Sequence, residues 1–181
     1  ITEGAGLVGA TITLVTVEKF SEAMDKFIAG ECDIVTTDGS ALVGRRAVND
    51  ALNDWSIFPQ SPISKEPLGP VYRSNDSMWG DVINWVVYAT IIADEYGVTS
   101  ANVDSVDTDA LPELGRLFGA NDGELQSVMG LDKKAFYNVI KQIGNYDEIY
   151  SRNLNPVGLF REGGANDRWT NGGLIYAPPA R

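Results

Sequence analysis

The chain has 181 residues, enough for one ordinary domain or two small lobes, and its 44% apolar content suffices for a packed core. With 14 lysines and arginines against 25 aspartates and glutamates the formal net charge is −11, which argues against nucleic acid or an anionic membrane as a partner, since both need a basic face. There is no histidine and one cysteine, Cys32, so a Ser-His-Asp triad, a Cys-His pair and the usual zinc sites are excluded.

Residues 1–10, ITEGAGLVGA, are small and Gly-rich and read as the end of an element whose beginning is missing. Thr11–Val17 is a continuous β-branched run and predicts a strand. A helix from Glu18 to Ala29 follows, with Phe20, Met24, Phe27 and Ile28 on one face and Gly30 at its C-terminal end. Cys32–Thr37 predicts a second strand, on which Cys32 reads as inert core packing. Asp38-Gly39 then breaks the strand, and Ser40 is placed to cap a helix over Ser40–Asn49. Trp55–Phe58 is a short third strand stopped by Pro59. The first 58 residues thus run β-α-β-α-β, which predicts an α/β lobe with a parallel or mixed sheet, incomplete at three strands.

Residues 60–70, QSPISKEPLGP, hold three prolines and mark a boundary between 1–60 and 71–181. Gly69–Arg73 reads as the start of another strand, and Asn75-Asp76-Ser77 as a turn capping a long helix over Met78–Tyr96. That helix is apolar nearly all round, with Trp79, Val82, Ile83, Val86 and Ile91 on its main buried face. Its most apolar run, Val82–Ala93, contains Asn84, Tyr88 and Thr90 and is too short to span a bilayer. Helical segments at Leu111–Leu117, Gly123–Met129, Lys133–Ile143 (with Asp132 as N-cap) and Asp147–Asn153 follow. The tail 155–181 is rich in Gly, Asn and Pro yet carries Phe160, Trp169, Leu174, Ile175 and Tyr176, which suggests a strap packed on the body.

Chemical signatures are sparse. Gly4, Gly6 and Gly9 spell G-x-G-x-x-G but precede a strand, where the dinucleotide motif must follow one. Asp104, Asp107 and Asp109 lack the glycine and terminal Glu of a calcium loop and read as a solvated turn, so no metal site is expected. Arg45-Arg46 could hold a carboxylate but reads first as a solvated or ion-paired helix face. A pairing of Asp38 with Glu66 has no local support. The aromatic set Trp79, Trp85, Phe136, Tyr137 and Tyr150 reads as helical core. Asp38 itself, at the carboxyl end of a predicted strand and beside a helix start, is either a cap or a carboxylate that holds a cation such as an amine.

DIVTTDGSAL at 33–42, ISKEPLGPVYR at 63–73, YGVTSANVD at 96–104, NVIKQIGNYDEIYSRNL at 138–154 and WTNGGLIYAPPAR at 169–181 together resemble the periplasmic general L-amino-acid-binding proteins of ABC uptake transporters, within the family-3 solute-binding proteins. The resemblance runs in order from about residue 11 to the C-terminus. It implies a type II periplasmic-binding-protein fold of two α/β lobes that close on a free L-amino acid. Residues 1–60 would be the later part of lobe 2, 61–70 the returning hinge, and 71–181 the C-terminal part of lobe 1 with its strap. It further implies a periplasmic location, a precursor with a signal peptide, a membrane permease as partner, and no enzymatic activity or cofactor. A ligand-sensing domain and a periplasmic dehydratase share this fold and are the competing functions.

One family site residue falls on this chain: Asp38, matching the Asp that ends the TTD strand and pairs with the ligand's α-ammonium. The family's N-terminal half has no counterpart here, and with it are absent the Arg that clamps the ligand carboxylate, the donors beside it and the Gly-Thr-Thr turn. The chain is expected to be a truncated or processed piece, with that half as a partner. Cys32 is expected to have lost a disulfide partner with the same half.

Overall fold

The computed structural model describes all residues except 60–62, 65 and 66, and the chain divides by its contacts into two units, Ile1–Ile63 and Ser64–Arg181. Glu66, considered above beside Asp38, and much of the connector lie outside the described residues.

The first unit holds helices α1 (Thr2–Leu7), α2 (Phe20–Ile28) and α3 (Gly39–Asn49). Helix α2 forms where the apolar positions recur at helical spacing, and it buries Met24; α3 buries Val43. Side chains rather than a sheet tie these elements together. Phe27 packs edge-on against Trp55 with ring centroids 5.0 Å apart, and the Arg45 guanidinium lies 5.7 Å from the centre of the Phe20 ring, linking α3 to α2. After α3 the Asp50 carboxylate accepts from Asp54 N–H at 2.8 Å and Trp55 N–H at 3.0 Å, closing the turn.

The four predicted strands, Thr11–Val17, Cys32–Thr37, Trp55–Phe58 and Gly69–Arg73, are not strands: no strand forms among the described residues, and one isolated bridge joins Arg168 and Ile175. The α/β expectation therefore gives way to helices joined by irregular segments. The physical reason is that a strand is a property of a pair. β-Branched runs favour a pleated surface only where a neighbouring ladder and a half-buried face exist. Here Ile12, Leu14, Val15, Ile34 and Phe58 remain exposed.

The second unit is built on α4 (Ser77–Glu95), which packs against α7 (Ala135–Ile143) and α8 (Tyr146–Leu154). Between them lie α5 (Pro112–Leu117) and α6 (Leu125–Val128). The core joins Ala89, Ile92 and Ala93 of α4 to Val98, Val103, Leu114, Leu117, Phe118, Phe136 and Ile140, with Ala180 of the tail sealing one side. Helix α4 starts where expected, with the Asp76 carboxylate accepting from Trp79 N–H at 3.1 Å. Its burial is displaced from expectation: the C-terminal half, Ala89–Asp94, is buried, while Trp79 at the start is 55% exposed. Helix α7 begins at Ala135 after N-cap Lys134; Asp132, the expected cap, instead accepts from Lys134 N–H at 2.8 Å.

The tail follows the body, but not by burying its aromatic rings. Phe160, Trp169, Leu174 and Tyr176 are exposed. Polar contacts hold it instead: Ala180 N–H donates to Glu113 at 2.8 Å, Arg116 Nε donates to Ala180 C=O at 3.1 Å, and Trp169 Nε1 donates to Glu95 at 3.0 Å. No described helix is long and apolar enough to cross a membrane.

Candidate functional site

Asp38 is the N-cap residue of α3, with Leu42 N–H donating to its backbone carbonyl at 3.0 Å. The helix therefore starts one residue before Ser40, which lies inside the first turn rather than capping it. An N-cap aspartate ordinarily turns its carboxylate back onto an N–H of the first turn. Asp38 does not: its side chain makes no cap hydrogen bond. Among the described residues its carboxylate has no hydrogen-bond or ion-pair partner, although the residue is half-buried. The carboxylate thus lies at the N-terminal end of an 11-residue helix without a bond to it.

The surroundings of Asp38 are fixed by α3, which the Arg45–Phe20 contact and the Asp50 turn anchor within the first unit. Arg45 is exposed and lies over the Phe20 ring. Cys32 is half-buried, with a free thiol. Among the described residues no group of three or more His, Cys, Asp or Glu side chains is arranged to hold a metal.

The second unit contains a dense charge network that sequence reasoning missed. Asp94, 1% exposed, receives Arg161 Nη2 at 2.6 Å on one oxygen and Arg168 Nε at 3.1 Å on the other. Arg161 also reaches Asp147 at 3.1 Å and Asn166 C=O at 2.6 Å. Nearby, Asp167 accepts from the N–H groups of Gly163 and Arg168 and from Asn171, bonds that hold its carboxyl below the usual carboxylate range. Burial pushes the Glu95 carboxyl up, and the neighbouring carboxylates of Glu113 and Asp94 add to this, against a lowering bond from Trp169. A carboxylate within the apolar run Ile91-Ile92-Ala93-Asp94 was the available signal. Its partners stand far along the chain, so no local spacing revealed them. This network fastens the tail to α4 and α8.

No protein-family model matches the sequence. The chain is 43% identical over 175 residues to the glutamate/glutamine/aspartate/asparagine-binding protein BztA of Rhodobacter capsulatus, covering 94% of this chain and 51% of that protein. It is 40% identical over 171 residues to the general L-amino acid-binding periplasmic protein AapJ of Rhizobium johnstonii, covering 92% and 49%. Among solved structures it is similar to an ABC transporter periplasmic binding protein from Brucella ovis with glutathione bound, at 37% identity and a TM-score of 0.87, over 99% of this chain and 56% of that one. The chain spans about half the length of the curated relatives it matches, and its fold is that of part of a periplasmic binding protein. The chain is a homologue of the amino-acid-binding periplasmic proteins of ABC transporters, matched over nearly all of its own length to about half of theirs.

Proposed function

We propose that this chain is part of the extracytoplasmic amino-acid-binding component of an ABC uptake transporter, and that Asp38 pairs with the α-ammonium of a free L-amino acid captured between two lobes. The observation that carries this is the Asp38 carboxylate: half-buried, at the positive end of α3, and bonded to no other described group. A charge-assisted bond to an ammonium is roughly twice as strong as a neutral one. Closure of a cleft over Asp38 would desolvate it, so a ligand without an ammonium is penalised.

In this proposal residues 1–60 belong to lobe 2, 61–70 to the hinge and 71–181 to lobe 1, with the lobes' sheets completed by the half of the protein outside this match. That half supplies the partner for the ligand's carboxylate. The protein works in the periplasm with a membrane permease, and it captures rather than transforms its ligand. Glutathione, held by the Brucella ovis relative, ends in a γ-glutamyl group with a free α-ammonium and α-carboxylate. Asp38 would meet the same head group in either ligand; the remainder of the ligand is what the rest of the cleft selects.

The test is a thermal-shift screen of the twenty L-amino acids and glutathione on the complete protein, followed by calorimetry of Asp38→Ala. One or more L-amino acids should raise the melting temperature. Asp38→Ala should weaken binding tenfold or more, about 1.4 kcal/mol. Unchanged affinity in that variant refutes the ammonium role, and a response to glutathione alone moves the ligand class to γ-glutamyl peptides.

A further inference from the structure

Asn155 is the C-cap residue of α8, and its side-chain Oδ1 is buried without a hydrogen-bond partner among the described residues. Buried oxygens of Asp94 and the buried Nη2 of Arg161 are at least ion-paired with each other or with Arg168; Asn155 Oδ1 is not. A buried acceptor left unsatisfied is costly, so it marks a place where a donor is expected. Asn155 lines a cavity of about 190 Å³ together with Asp147 and Ser151 of α8 and Phe160, Glu162 and Arg168 of the tail. That space is far more than the roughly 10–15 Å³ that holds one water, and less than the roughly 300–1,000 Å³ of sites for drug-sized ligands. It suits a small molecule.

The charges around the cavity choose the sign of the ligand. Carboxylates outnumber guanidinium groups: Asp147, Glu162 and Asp167 line it, and Arg161 and Arg168 are both spent on a further carboxylate, Asp94. Among the described residues Asp147 gives one oxygen to Arg161 and keeps the other open, and the side chains of Ser151 and Glu162 make no bond. The C-terminal end of α8 adds the negative end of a helix dipole. Phe160 is 65% exposed and offers a ring face, on which a cation is attracted. A bare metal ion is the poorer fit, since no described group of three or more acidic side chains is arranged to hold one. We propose that this cavity binds a small primary alkylammonium ion, its N–H groups donating to Asn155 Oδ1 and to the open oxygens of Asp147 and Glu162, and its alkyl chain lying against Phe160. The site belongs to the second unit, whereas Asp38 belongs to the first, and it stands without the amino-acid-binding reading.

Titration of n-butylammonium chloride into the complete protein, followed by amide NMR, locates and measures the site. Saturable shifts should be largest at Ser151, Glu162 and the backbone and side-chain amides of Asn155. The uncharged n-butanol should produce none, and potassium chloride at equal ionic strength should not displace the amine. Asn155→Leu keeps the size of the side chain and removes the acceptor, and it should weaken binding about tenfold or more. Glu162 is exposed, so Glu162→Gln leaves the fold intact and should weaken binding about threefold or more, while Glu124→Gln, a change at another exposed carboxylate of the second unit, should not. Absence of saturable shifts at these residues overturns the proposal, as do equal binding of n-butanol, displacement by potassium ions, or wild-type affinity in Glu162→Gln. An L-amino acid that shifts the same residues at lower concentration overturns the ligand class, since Arg168 would then be holding a carboxylate. Shifts gathered at Gly39 and Leu42 instead would assign the amine to Asp38 and overturn this site. Calorimetry of Asp38→Ala with L-amino acids is a separate readout, so either site can fail with the other standing.

Discussion

Arg161 and Asp94 form a buried ion pair, Nη2 to Oδ2 at 2.6 Å, that joins the tail to the last turns of α4. Arg168 takes the second oxygen of Asp94 at 3.1 Å, and the Tyr146 ring covers the Arg161 guanidinium with its centre 4.8 Å away. Burial alone lowers the Arg161 pKa, and its bonds to Asp94 and Asp147 more than reverse this, so the charge is retained. Such a pair gives little net stability against an apolar replacement of both partners, but breaking it leaves a charge stranded in the core.

Arg161→Ala should therefore destabilise the second unit by about 3–5 kcal/mol, while the double variant Arg161→Met, Asp94→Leu recovers most of the loss. Urea unfolding followed by far-UV circular dichroism reads both. A double variant as unstable as the single one would show that the arginine acts by filling space and not by neutralising Asp94.

The two N-cap aspartates differ in what their side chains do. Asp76 accepts from Trp79 N–H, whereas Asp38 makes no cap bond. Asp76→Ala should cost about 1 kcal/mol, as an ordinary cap does, and Asp38→Ala well under that, a few tenths from the helix dipole. Equal losses by thermal unfolding would mean that the Asp38 side chain caps α3 in solution.

What was legible in the sequence was whatever a short window decides. Helices α2, α4 and α7 follow from their apolar positions, and α3 and Asp76 from turn chemistry. Asn145 and Glu148 form a reciprocal capping box that their spacing also spelled, although it went unread. The strands failed because β-branched runs report only half of a pairing. Trp79 failed because apolarity all round a helix does not say which half finds a neighbour. Asp38 lies beside the helix start that its neighbours predict, but a cap and a ligand group have the same sequence; the structure adds that its side chain makes no cap bond.

Acid should loosen the junction between α8 and the loop after α4. The Glu148 carboxylate accepts from Ser100 Oγ at 2.6 Å, Ser100 N–H at 3.0 Å and Asn145 N–H at 2.8 Å. Burial pushes its pKa up, but these bonds outweigh burial and hold it below the ordinary value. A depressed carboxyl binds its proton less readily folded than unfolded. Its contribution is therefore complete above the unfolded pKa and lost as pH falls through the folded one. Glu148→Gln should be less stable at neutral pH by about 1–3 kcal/mol, since its amide meets donors, and should show a flatter acid limb in melting temperature against pH. An unchanged acid limb would place the titration elsewhere, Asp104 and Asp167 being the other lowered carboxyls.

Gly119 and Gly130 offer a matched pair of substitutions. Each follows a helix C-cap, Phe118 after α5 and Met129 after α6, and each has φ near +70°. Any L side chain there carries the left-handed penalty, roughly 1–2 kcal/mol. The two sites differ in what a side chain would meet. At Gly130 the space is open, while at Gly119 a Cβ would stand 2.1 Å from the backbone carbonyl oxygen of Lys133. That oxygen belongs to the chain entering α7, whose Phe136 and Ile140 are fully buried in the core, so it has little freedom to retreat. Gly130→Ala should cost about the conformational penalty alone, and Gly119→Ala about 2 kcal/mol or more beyond it. Urea unfolding of the two variants side by side measures the difference. Equal costs would mean that the approach of Lys133 to α5 relaxes without loss, and that the junction between α5 and α7 is looser than its packing suggests.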